Sequence, residues 1–91
     1  MKPVFTTPFV RDYQRLPPRI QRRFDMALGL LLSDPRHPSL RAKNMEGQRD
    51  PQGRDIWEAR ATQGYRFTFV IEGATSILRR IGPHEDALRH P

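Results

Sequence analysis

The stretch that most limits what this chain can fold into is Asp55–Ile71. There, two runs of alternating apolar and polar residues flank a turn containing Gly64. Such alternation around a glycine turn reads as a β-hairpin. Successive side chains of a strand point to opposite faces. Ile56, Glu58 and Arg60 therefore share one face of the first strand, and Arg66, Thr68 and Val70 share one face of the second. Tyr65, Phe67, Phe69 and Ile71 lie opposite. The aromatic face demands burial. The other face gathers an acid and two arginines, which suits it to handling an anion.

The rest of the chain supplies what the aromatic face packs against. A short strand is expected over Pro3–Thr7, with Val4 and Phe5. Thr7 before Pro8 reads as an N-cap with proline in the first helical position. The helix it opens runs to about Arg15 and aligns Phe9, Tyr13 and Leu16. Pro17 and Pro18 break it, and Pro18 starts a second helix that ends at Ser33, before Asp34-Pro35. Ile20, Phe24, Ala27, Leu28, Leu31 and Leu32 form its apolar stripe. The segment His37–Met45 is expected to be a loop leading into a short strand, and Glu46–Arg54 a polar turn. After the hairpin, Glu72-Gly73-Ala74 turns the chain into a strand from Thr75 to Ile81. Residues Gly82–Pro91 make a further turn and at most one turn of helix. The order is β-α-α followed by three or four meandering strands. It implies an α+β fold in two layers, an antiparallel sheet packed on a helical hairpin.

Ninety-one residues make one small domain spanning 1–91. With hydrophobic residues at only 36%, its core is small, so a bound partner would add stability by mass action. Sixteen Lys+Arg against ten Asp+Glu leave a net charge of +6, and Lys2 and Lys43 are the only lysines. Guanidinium forks match phosphate oxygens and stack on bases, although a basic chain also suits an acidic protein. With no cysteine, a disulfide framework and a thiolate metal site are excluded. No apolar run reaches membrane-spanning length, and no secretory segment opens the chain, so a soluble cytoplasmic protein is expected.

Several segments in order carry a family resemblance: Phe9 to Leu16, Leu16-Pro17-Pro18 with Ile20 and Phe24, Asp34–Leu40, Ile56–Arg60, Gly64–Phe69 and Ile81–Glu85. Together they resemble the RelE/ParE superfamily of toxins from bacterial type II toxin–antitoxin modules, over nearly the whole length. The histidine after the last strand is similar to that of the YoeB branch. The resemblance implies a metal-independent endoribonuclease without cofactor, which cuts messenger RNA on the ribosome and is held by an acidic cognate antitoxin. Two alternatives share the fold: a ParE-type toxin that inhibits gyrase by protein contact, and a degenerate member that only binds its antitoxin. The lysines that RelE places on its sheet have no counterparts here.

The resemblance places Arg66 at the family's phosphate-contacting arginine and His84 at its site histidine. Glu58 falls near a basic residue of RelE if one residue is added to the turn. RNA cleaves when a ribose 2′-OH attacks the adjacent phosphorus, which asks for a base, a cation clamp and an acid. Glu58 is the candidate base, or else a surface carboxylate paired with Arg60 or Arg66. Arg66 is the candidate clamp. His84 is the candidate acid, since imidazoles as a class titrate near neutrality; the plain alternative is a solvated loop residue. Arg60 is a second phosphate contact or an ion-pair member. Arg79 and Arg80 point to opposite faces, and Arg80 is the one assigned to the site. Arg19, Arg22 and Arg23 form a solvated face of the second helix, or a sequence-independent contact to ribosomal RNA. Trp57 is assigned to the core. His37 and His90 have no partner at ligand spacing, so no metal site is expected. The nuclease reading requires residues 58, 66 and 84 to converge on one side of the sheet.

Overall fold

The computed structural model describes residues 1–91. In chain order it has β1 (Lys2–Phe5), α1 (Thr7–Gln14), α2 (Pro18–Ser33), a 3₁₀ turn (Pro38–Leu40), β2 (Lys43–Arg49), β3 (Asp55–Arg60), β4 (Tyr65–Glu72), β5 (Thr75–Pro83) and α3 (His84–Arg89). The strands form one sheet in the order β1-β5-β4-β3-β2.

The helices start where the local chemistry allows. Thr6, one residue earlier than expected, caps α1 by accepting the Phe9 N–H on its hydroxyl oxygen at 3.3 Å. The same hydroxyl lies 3.0 Å from the Leu78 carbonyl and thereby ties the start of α1 to β5. The α2 boundaries are those expected from the prolines and from Asp34-Pro35. Tyr13 joins the two helices: its hydroxyl donates to Asp25 at 2.9 Å, and its carbonyl accepts from the Gln21 side chain at 2.9 Å. Burial, and then the hydrogen bond to the Asp25 carboxylate, push the Tyr13 phenol up.

The core lies between this helical pair and the aromatic side of the sheet. Phe24 sits at its centre, with ring centroids 5.1 Å from both Phe9 and Phe67, and Phe67 stands 5.9 Å from Phe69. Leu31, Leu40, Ala59 and Leu78 close the cluster, and Trp57 packs half-buried against it. Each such aromatic pair contributes about 0.5–1.5 kcal/mol beyond simple burial.

Four features depart from the local reading. The sheet is mixed, because β1 runs parallel to β5 with Val4 opposite Ile77. Those strands are joined through the rest of the chain, so no short turn imposes an antiparallel sense. β2 continues to Arg49 through residues expected to turn. Gly47, at φ +80, lies within the register shift between Asn44 and Arg49 that keeps the strand paired. β5 extends two residues past Ile81. Finally, Ile71 remains exposed in an open cleft with Trp57 and the Pro35–His37 segment, whereas Ile56 and Val70 of the other face are buried.

The β2–β3 turn is held by Asp50. Its carboxylate accepts the Gln52 N–H at 3.0 Å, the Arg54 N–H at 2.7 Å and the Arg54 Nε–H at 2.6 Å, and Arg54 also grips Glu72 of β4. Burial pushes the Asp50 carboxyl up, but the bonds from Arg54 outweigh it and leave the group below its ordinary value.

Candidate active site

The face of the sheet away from α1 and α2 is ordered by the strand register. One cross-strand row is Arg60, Arg66 and Gly82. The next is Lys43, Glu58, Thr68 and Arg80. A third, Ile56, Val70 and Ile77, follows from the pairing of Trp57 with Phe69 and of Val70 with Ile77. α3 folds back onto this face. A Cβ placed on Gly82 would lie 3.8 Å from the Asp86 Cβ, and Ala87 is buried. The chain beyond α3 reaches Thr68, whose hydroxyl donates to the Pro91 carbonyl at 2.9 Å. This return of the chain covers Thr68, which is fully buried.

Glu58 is 4% exposed. One carboxylate oxygen stands 3.5 Å from the Lys43 ammonium, and the other, Oε2, has no hydrogen-bond partner. A buried polar atom left unpaired costs about 1–3 kcal/mol. Arg66, a diagonal neighbour across the hairpin, is 8% exposed. Diagonal cross-strand residues sit about 7–8 Å apart, within reach of long side chains. The Arg66 Nη1 donates to the carbonyls of Thr62 at 3.0 Å and Gln63 at 2.6 Å. Its Nε and Nη2 edge makes no bond in the protein. Burial pushes the Arg66 guanidinium down, Arg60 repels it, Glu58 partly restores it, and Arg41 adds further repulsion.

Arg41 and Lys43 join the site without having been singled out from the sequence. Arg41 caps the 3₁₀ turn in the left-handed region at φ 46, ψ 43. A side chain there is uncommon outside glycine and asparagine, and nothing in the local sequence announces it. The strand expected after His37 was the only signal for Lys43.

His84 is the first residue of α3 and is exposed. Its N–H donates to the Gly64 carbonyl at 2.9 Å. The start of α3 and the Arg66 guanidinium thus fasten to the same β3–β4 turn. The structure brings Glu58, Arg60 and Arg66 together on one face, with His84 at the end of the sheet beside them.

Arg80 stands opposite Thr68, but its guanidinium is bound to α1. The register shifts between Thr68 and Phe69, so that Thr68 faces Arg80 while Phe69 faces Leu78, leaving Arg79 as an extra residue. Arg80 donates to Asp12 of α1 at 2.7 and 3.2 Å, and this hydrogen bond pushes its guanidinium up. Arg79 lies on the same side, its Nε donating to the Pro91 carbonyl that Thr68 also uses, at 3.1 Å, and both arginines line a cleft with Ile56. The expectation that Arg79 and Arg80 point to opposite faces fails, because the bulge sets two residues of β5 against the single Thr68.

Arg19, Arg22 and Arg23 are exposed on α2, on the opposite side of the sheet from Glu58. The His37 Nδ1 accepts the Ser39 N–H at 3.1 Å and so caps the 3₁₀ turn. No three His, Cys, Asp or Glu side chains cluster as metal ligands, and no helix is long and apolar enough to cross a membrane.

No protein-family model and no curated protein matches the sequence. Solved structures do match. A YoeB/ParE toxin from Agrobacterium tumefaciens is 20% identical, with a TM-score of 0.75 over 92% of this chain and 99% of that one. The RelBE2 toxin–antitoxin complex of Mycobacterium tuberculosis contains a chain 27% identical, with a TM-score of 0.67 over 91% and 96%. The RelB–RelE antitoxin–toxin complex of Methanococcus jannaschii gives 20% identity and a TM-score of 0.71 over 91% and 92%. The fold is that of the RelE/ParE superfamily.

Proposed function

We propose that this chain, built on the fold of the RelE/ParE toxins, is the toxin of a type II toxin–antitoxin pair and an endoribonuclease that cleaves messenger RNA. The observation that carries the reading is Glu58: a buried carboxylate with one oxygen unpartnered, on a face that also collects Arg60, Arg66 and Lys43. A purely structural carboxylate would be satisfied on both oxygens. The unpartnered oxygen keeps its capacity as an acceptor.

In the proposed reaction Glu58 Oε2 accepts the 2′-hydroxyl proton as the 2′-oxygen bonds to phosphorus. The phosphorane that forms bears extra negative charge. The free Nε/Nη2 edge of Arg66 has the planar fork for two of its oxygens, and Nη1 is already anchored by the turn, so little reorganisation is needed. Arg60 adds positive charge in the same row. His84 gives a proton to the 5′-oxygen as the phosphorus–oxygen bond breaks. The products are a 2′,3′-cyclic phosphate and a free 5′-hydroxyl. Base, clamp and acid are all side chains, so the chemistry asks for no cofactor.

The partner is an acidic antitoxin, complementary to the +6 charge, in line with the antitoxin–toxin complexes among the similar structures. Cytoplasmic action on translating ribosomes completes the proposal, with Arg19, Arg22 and Arg23 available on the far side for ribosomal RNA. Primer extension on messenger RNA in a translation reaction tests it. Glu58→Gln, Arg66→Ala and His84→Ala are each expected to lower cleavage by about 10²–10⁴-fold. Cleavage that survives both Arg66→Ala and His84→Ala overturns the site. Gyrase inhibition without RNA cuts selects the ParE-type activity instead.

A further inference from the structure

The oxygen assigned as the base is buried as well as unpartnered. A ribose hydroxyl reaches Glu58 Oε2 only after something on this face of the sheet moves. The segment after α3 is what lies across that face. The Pro91 carbonyl accepts from the Thr68 hydroxyl at 2.9 Å and from the Arg79 Nε at 3.1 Å, and no other hydrogen bond holds residues 90–91 to the sheet. Thr68 is the cross-strand partner of Glu58. His90 and Pro91 also line a cleft of about 500 Å³ together with Ile56, which precedes Glu58 by two residues and so shares its face of β3. The donors on the Pro91 carbonyl are of the kinds that phosphate oxygens take from proteins, a hydroxyl and a guanidinium. A guanidinium gains more from an anion than from a neutral carbonyl, and the Arg79 Nη groups make no bond within the protein.

We propose that Thr68 and Arg79 form a second phosphate site beside Glu58, and that residues 90–91 are a latch over it; the inference rests on the nuclease reading above. In the free protein the Pro91 carbonyl fills the site and the catalytic face is closed. An RNA phosphate takes the same two donors, displaces the segment and uncovers Glu58. Only the unlatched fraction of molecules binds RNA, so the observed affinity is lowered by that fraction. Two hydrogen bonds, each with a modest net value, keep the latch closed strongly enough to weaken binding about tenfold.

The test compares the full chain with one stopped after Arg89. Affinity for a non-cleavable 2′-O-methyl RNA is read by fluorescence anisotropy. Carbodiimide labelling of Glu58, read by mass spectrometry, reports the uncovering of the carboxylate and needs no catalysis. The shortened chain is expected to bind RNA about tenfold more tightly and to label at Glu58 where the full chain is protected. Arg79→Ala should cost more affinity in the shortened chain than in the full one, where the loss of a phosphate contact is offset by a weaker latch. Thr68→Val in the full chain keeps the length and shape, removes one of the two bonds to Pro91, and should also raise Glu58 labelling. Equal RNA affinity of the two chains, or Glu58 labelling unchanged both by shortening and by Thr68→Val, overturns the latch; messenger RNA cleavage by the full chain then leaves the nuclease reading standing. Tighter binding and stronger labelling of the shortened chain, with no cleavage by either, support the latch and overturn the nuclease reading.

Discussion

Removing the carboxylate of Asp12 isolates what its bonds to Arg80 and to the β5 backbone contribute. Asp12 accepts three bonds: two from Arg80 and one from the Ile81 N–H. The Arg80 side chain is 38% exposed, so its ion pair is discounted for solvent screening to about 1 kcal/mol. The Ile81 N–H belongs to a residue that is 3% exposed; its orphaning costs about 1–3 kcal/mol. Asp12→Ala should therefore destabilise by about 2–4 kcal/mol. Unfolding entropy for 91 residues converts 1 kcal/mol into roughly 5 °C, so the midpoint falls by about 10–20 °C. Asp12→Asn keeps an acceptor for the N–H and loses the charge, so it should cost about 1 kcal/mol, or roughly 5 °C. Thermal denaturation followed by circular dichroism at neutral pH measures both. Equal losses for the two variants, or a fall under about 5 °C for Asp12→Ala, would refute the role given to the Ile81 N–H. Arg80→Ala should reproduce the smaller loss while keeping RNA affinity.

Further measurements probe other parts of the molecule. Arg79→Ala should reduce the salt dependence of single-stranded RNA binding by a slope of about 0.7, one phosphate contact, with little change in melting temperature; an unchanged slope would take Arg79 out of the interface. The Asp50 carboxyl has a native value depressed below its ordinary 3.8. Its contribution is therefore complete above that pH and is lost as the pH falls through the lower native value. Acid titration of stability should show this loss in wild type and not in Asp50→Asn, which will be less stable at neutral pH. Phe24→Ala, at the meeting point of Phe9 and Phe67, should cost about 3–5 kcal/mol in chemical denaturation. A loss near 1 kcal/mol would mean that the helical pair does not depend on that ring.

Local chemistry determined much of this protein on its own. Prolines 8, 17, 18 and 35 mark helix boundaries because proline fixes φ and lacks a donor wherever it stands. The alternation across residues 55–71 settles which side chains of the hairpin share a face, so Glu58, Arg60 and Arg66 come together by covalent geometry and register. The remaining choices belonged to contacts far apart in the chain. The parallel pairing of β1 with β5 joins residues more than seventy positions apart. The bulge at Arg79 breaks the alternation of β5, and the guanidinium of Arg80 is held by Asp12, 68 residues away. The chain beyond α3 covers Thr68 on a face that alternation alone leaves to solvent, and Arg41 enters the site from a backbone conformation with no local signature. Periodicity places a side chain on a face; which partner it meets there is decided by the packing of distant segments, and only the tertiary structure holds that information.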